Sequence, residues 1–208
     1  MEGYSQRVRD SILPLSVGDT LPKAFEEWSF THNMVDHEDA VKTCELCGQE
    51  HLRYHFEIKN ALTKHCLWIG SHCILRFGLS IFEDGRKLTK DEVKKKLTRL
   101  TEQMQQAYCI KALRAATEKD NNEYLKHALD YYEKNKFLTP KLAHIVLKGL
   151  RTNGIDHNPS FFKVRLKRDQ HKHDLRTMAL GHVHILWPAL TSAQRNMAMK
   201  MGHTAPGK

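Results

Sequence analysis

At 208 residues, 40% hydrophobic and 27% charged, the chain has the composition of an ordinary soluble globular protein with room for one or two small domains. Its apolar runs fall well short of the roughly 18 to 20 residues that cross a bilayer, and MEGYSQRVRD carries no apolar signal-peptide core, so no membrane association is expected and the location expected is the reducing cytoplasm. Residues 1–140 hold 21 basic and 21 acidic side chains and residues 141–208 hold 12 and 3, which places the whole net charge of +9 in the last third and excludes an evenly charged surface.

The first forty residues show little regular pattern. Two prolines and a glycine in SILPLSVGDTLP interrupt helices, and AFEEWSF fits either one short helix or a strand packed on the next segment of chain. After Cys44 the pattern alternates: Tyr54, Phe56 and Ile58 share one side and His55, Glu57 and Lys59 the other, followed by NALTK and LWIG, which predicts a β-hairpin. Thr89 with Glu92 forms a capping-box pattern, and Val93, Leu97, Leu100, Met104 and Ala107 recur as one apolar stripe on a helix over about 90–118. Packing inside the chain accounts for so short a stripe; a dimer through the 90–118 helix is the alternative.

A second helix is expected over about 122–134, with Tyr124, Leu125, Ala128 and Tyr131 on one side. The third has Thr139 as N-cap and Pro140 in first position, uses Leu142, Ile145, Val146 and Leu150, and stops at Asn153 and Gly154. Further on, Phe162, Val164 and Leu166 alternate with Lys163, Arg165 and Lys167 as in a half-buried strand. The capping residue Ser160 and the polar continuation favour a basic helix instead, and that is the reading preferred. Pro188 breaks the chain, and Thr191 to Met201 resumes as a helix with Ala193, Met197 and Met201 on one face.

Five cysteines, an odd number with four of them inside thirty residues, suit metal binding better than a disulfide framework. Cys44 and Cys47 have the two-residue spacing that turns both thiolates toward one ion, with Gly48 relieving the turn. If NALTK is the turn, residue 59 faces about 65 and residue 51 falls near 73. Cys66 then sits at the turn end, more than about 20 Å from Cys73 at about 3.3 Å per strand residue, too far to share a zinc ion with it. Cys73 is therefore the third ligand, and Cys66 reads as a small core residue beside Leu67 and Trp68. For the fourth ligand His72 is preferred, with His51, His37 and, in an irregular hairpin, Cys66 as alternatives. Cys109 reads as a buried hydrophobe.

The stretch CELCGQEHLRYHFEIKNALTKHCLWIGSHCILRF resembles the small zinc-ribbon or treble-clef-like module of phage, plasmid and mobile-element proteins, whose pattern is C-x-x-C-G, a hairpin, then V-G-x-x-C. Cys44, Cys47, Gly48, Gly70 and Cys73 occupy those positions. Relatives often carry a Cys or His two residues before the last cysteine, where this chain has Ser71 with His72 beside it. The resemblance implies a metal-stapled module and, for a viral protein, a location in the host cell cytoplasm. The fold class expected is α+β: a zinc-stapled β-hairpin module with its lead-in over residues 1–85, a mainly α-helical domain over 86–202, and a disordered tail over 203–208.

Neither HExxH nor the deaminase pattern of H-x-E with P-C-x-x-C is present, so the zinc is expected to be structural and the protein not an enzyme. Lys148, Arg151, Lys163, Arg165, Lys167, Arg168, Lys172 and Arg176 are the candidate phosphate contacts. The function expected is nucleic-acid binding, to DNA before RNA. The alternative is a regulator or inhibitor that grips an acidic protein with the same face. Phe161 and Phe162 suit base stacking or, more simply, a core. The pairs His171/His173 and His182/His184 read as surface or core-edge residues; on a strand each would instead present two rings on one face, and imidazoles gain charge below about pH 6.5.

Overall fold

In the computed structural model, which describes residues 5–207, the lead-in is folded: helices α1 (Gln6–Ile12) and α2 (Leu21–Glu26) precede strand β1 (Trp28–Asp36). AFEEWSF thus does both things its composition allows, helix as far as Glu26 and strand from Trp28. Trp28 is fully buried, and its Nε1–H donates to Ser16 Oγ at 2.9 Å. Strand β1 pairs antiparallel with β2 (Tyr54–Asn60), which pairs antiparallel with β3 (Cys66–Ile69), giving a sheet in the order β1-β2-β3.

The hairpin register differs by one residue from the expected one, with Lys59 opposite Cys66 and Phe56 opposite Ile69. Asn60 causes the shift, because its buried side chain accepts from the backbone N–H groups of Leu62 and Thr63 and so builds the turn from inside. Helix α3 (Ser71–Arg76), a small hairpin of β4 (Phe82–Glu83) and β5 (Arg86–Lys87), and helix α4 (Lys90–Asp120) come next.

Two compact units divide between Met104 and Gln105, inside α4. The division falls later than residue 85 because Val93, Leu97 and Leu100, the first part of the predicted stripe, are buried in the same core as Phe30, Phe56, Ile58 and Ile69. Thr89 and Glu92 form the expected reciprocal cap, with Thr89 N–H donating to Glu92 Oε2 at 2.8 Å. Ala107 is exposed; Cys109, Ile110 and Leu113 are the buried positions further along.

The second unit is helical: α5 (Glu123–Asn135), α6 (Pro140–Thr152), α7 (Asp169–Thr177), α8 (Leu180–Leu186) and α9 (Ser192–Lys200). Asn122 caps α5 and Thr139 caps α6, each accepting a backbone N–H from three residues on. Tyr124 does not join the core as expected; it is 81% exposed and Tyr132 is buried in its stead, with Leu125, Ala128 and Leu129. On α9 it is Ala198 that is buried, while Ala193 is exposed. The tail expected to be disordered begins with a held residue, since His203 is buried with Nε2 at 2.8 Å from Leu175 O.

The basic helix expected from Ser160 is not formed. Asn158 caps a single 3-10 turn (Pro159–Phe161), and the chain then runs extended to α7. Leu138 N–H donates to Lys163 O and Arg165 N–H to Leu138 O, a parallel bridge around Val164. The reason is the two-residue period: on a helix Val164 would point away from the face shared by Phe162 and Leu166, whereas extended they all reach one core, and all three are buried. Phe162 is fully buried against Tyr132, ring centroids 5.7 Å apart, so Phe162→Ala is expected to cost about 3–5 kcal/mol, measured by denaturant unfolding.

Helices α6 and α8 are pinned by a stack of His144 on His182, ring centroids 3.9 Å apart. Burial first, then the charges of His182 and Lys148, hold the His144 imidazole below its ordinary value. Between the ordinary value near 6.5 and the depressed one the unfolded chain binds the extra proton, so stability from this site is full above about pH 6.5 and falls on acidification. His144→Phe is expected to flatten the acid limb of a Tm-against-pH curve; an unchanged limb would show that other groups set it.

Candidate metal centre and basic surface

Local backbone chemistry makes the Cys44–Cys47 knuckle. Cys44 N–H donates to Gln49 O and Gly48 N–H to Cys44 O at 2.9 Å. Gly48 has φ +78°, a left-handed conformation that favours glycine, and the Arg7 side chain packs over the space a Cβ would take. The knuckle is tied to strand β3 at Trp68, whose N–H donates to Glu45 Oε2 at 2.6 Å and whose carbonyl accepts from Glu45 N–H at 3.0 Å. Cys73 arrives from α3, its N–H donating to Gly70 O.

The ligand atoms of Cys44, Cys47 and Cys73 lie within 4.8 Å of one another, and the Cys44 and Cys73 Sγ atoms are 3.7 Å apart. Two thiolates on a tetrahedral zinc with bonds of about 2.3 Å stand roughly 3.8 Å apart, so three donors for one ion are assembled. Cys44 and Cys73 are buried. A hydrogen bond from Cys73 pulls the Cys44 thiol down to about 5 against the opposing effect of burial, helped by backbone N–H groups of Cys47, Gly70 and Leu46. Cys73 is pushed up, first by that same hydrogen bond and then by burial.

The cluster opens on a cavity of about 530 Å³ whose wall includes His51, His72, Tyr54, Gln49 and Arg76. His72 and His51, the preferred fourth ligand and its alternative, are both exposed on this wall and outside the 4.8 Å cluster. Cys66 is also outside it. It stands opposite Lys59 at the turn end and is exposed, which corrects the expectation of a core residue: Leu67 and Ile69 turn inward, and Cys66 ends the strand. His37 packs edge-on to the buried His55, ring centroids 5.0 Å apart, and His55 stacks on Trp68. Glu45, the Arg53–Asp36 ion pair at 2.8 Å and Arg76 surround the knuckle without any sequence spacing that announces them.

In the second unit the eight predicted phosphate contacts lie on three elements. Lys163, Arg165 and Lys167 form an exposed row on the extended stretch, Arg168 and Arg176 flank α7, and Lys148 and Arg151 are exposed on α6. Among the described residues none of these seven has an acidic partner; Lys172 pairs with Asp169 at 2.9 Å. The Arg165 guanidinium lies 3.7 Å from the centroid of the Phe137 ring, which orients it outward. The His171/His173 and His182/His184 pairs are on helices, so neither presents two rings on one face: His171 is buried, and His184 Nε2 lies 3.1 Å from Thr204 O.

Comparison with protein families, curated proteins and solved structures gives no match for this chain. No helix among the described residues is long and apolar enough to cross a membrane.

Proposed function

We propose that the protein is a non-catalytic nucleic-acid-binding protein, with DNA as its preferred ligand, whose first unit is stapled by a structural zinc ion. The observation that carries the binding reading is the row of Lys163, Arg165 and Lys167. It is raised on one side of a stretch whose other side is core, and none of the three has an acidic partner among the described residues. Support for zinc comes from the three convergent sulfurs. Cys44, Cys47 and Cys73 would hold the ion, with His72 before His51 as the fourth ligand from the cavity wall. The resemblance of residues 44–77 to a mobile-element module supports a phage or mobile-element setting.

Fluorescence anisotropy with duplex DNA, single-stranded DNA and single-stranded RNA over a range of salt concentrations tests this reading. Tight binding that weakens steeply with salt is expected, strongest on duplex DNA. Absence of binding at low salt would leave the same cations to an acidic protein partner, the regulator reading.

A further inference from the structure

Basic and acidic residues balance along the first unit, yet the fold gathers some of the cations in one place. A groove of about 670 Å³ between α3 and the start of α4 is lined by His72, Leu75, Arg76, Lys90, Asp91 and Lys94. Three permanent cations there face one carboxylate. Arg76, Lys90 and Lys94 are exposed, and none has an acidic partner among the described residues. Arg76 rests on the Phe77 ring, 5.5 Å from its centroid.

Arg76 has local reasons for its place, the C-terminal turn of α3 and the Phe77 ring, but stability gives the two lysines none. Lys90 is the first residue of α4, where the helix dipole disfavours positive charge, and Lys94 is its like-charged neighbour one turn on. Apart from Asp91 in the groove itself, the nearby acids are engaged elsewhere: Glu92 holds Arg86 through two hydrogen bonds of 2.8 and 3.0 Å and the Thr89 cap, and Glu83 holds Lys96. A ligand of opposite charge would offset what the fold leaves unbalanced.

We propose that this groove is a second nucleic-acid contact, binding backbone phosphates with Arg76, Lys90 and Lys94, separate from the basic face of the second unit. The proposal rests on the polynucleotide reading of the protein. Cations drawn from two helices and all exposed suit a run of phosphates better than a single enclosed one. The groove shares His72 and Arg76 with the wall of the thiol cavity, so the metal centre fixes α3 and with it one bank of the groove.

The test compares full-length, zinc-loaded protein with the triple variant Arg76→Gln/Lys90→Gln/Lys94→Gln by anisotropy on duplex and single-stranded DNA across salt, with zinc content and Tm as controls for folding. An affinity loss of at least about tenfold at low salt is expected, with a log–log salt slope smaller by about 0.9 for each duplex phosphate no longer neutralised. Unchanged affinity and slope in a variant that keeps its zinc and Tm would overturn the groove while the polynucleotide reading stood. If wild-type protein bound no polynucleotide, both would fall. Thermal stabilisation by pyrophosphate that the triple variant lost, with DNA affinity unaltered, would also overturn the proposal in favour of a small phosphate ligand.

Discussion

On the proposed zinc reading, Cys44→Ser and Cys73→Ser are expected to abolish zinc binding and to lower the unfolding midpoint of the first unit by the equivalent of several kcal/mol, while Cys66→Ser changes neither. The two buried sulfurs stand 3.7 Å apart, and removing one leaves the other without its hydrogen-bonding partner and the ion without a ligand. Structural zinc sites in small modules are worth about 10–16 kcal/mol of apparent binding free energy at neutral pH. The loss here is expected to be smaller because apolar burial of Trp28, Phe30, Phe56 and Ile58 also holds the core that contains Cys44 and Cys73. Cys66 is exposed at the turn and outside the cluster, which makes it the internal control. Zinc content by elemental analysis and thermal unfolding with and without chelator give the answer; a Cys44→Ser protein that kept both its metal and its midpoint would show that no zinc at these sulfurs staples the unit. Thiolates must be deprotonated to hold the ion, so zinc loss on acidification should accompany the fall in stability.

The second large effect concerns the basic face. Substituting glutamine at Lys163, Arg165, Lys167, Arg168, Lys172 and Arg176 together is expected to weaken duplex DNA binding by on the order of a thousandfold at physiological salt. The log–log salt slope should fall by about 0.9 for every phosphate these side chains neutralise. Lys172 should contribute least, because Asp169 already neutralises it. All six side chains project from the surface or its margin, and the row at 163, 165 and 167 is anchored from behind by Phe162, Val164 and Leu166, so the unit should remain folded. Circular dichroism checks that point. A folded variant with wild-type affinity and slope would show that this face does not meet the phosphates.

How readily each element can be read from the chain depends on the range of the forces that form it. Caps at Thr89, Asn122, Thr139 and Thr191 join residues three apart, and the sequence reading names two of them, at Thr89 and Thr139. The cysteine knuckle is equally local. Arithmetic on strand rise places Cys73, and not Cys66, near the knuckle because a hairpin converts sequence distance into space almost linearly. Strand β1 carries no such signal. Its residues past Phe30 are partly exposed and irregularly paired, with a register shift between Phe30 and Met34, so no clean alternation marks it.

Short-range chemistry and composition are therefore enough to specify the α+β class, the hairpin, the first helices of the second unit, the three-sulfur set and the concentration of positive charge in the last third. Each rests on neighbours a few residues apart, on residue counts or, for Cys73, on the reach of one hairpin. Strand or helix for residues 162–168 is a different matter, because the same residues satisfy a local cap or a distant core. Long-range partners make that choice: Leu138 and Gln194 offer the extended backbone its hydrogen bonds. Packing likewise buries Tyr132 in preference to Tyr124 and brings Arg76, Lys90 and Lys94 to one groove. Those outcomes depend on which surfaces meet, and a chain read one residue at a time carries no record of its own far contacts.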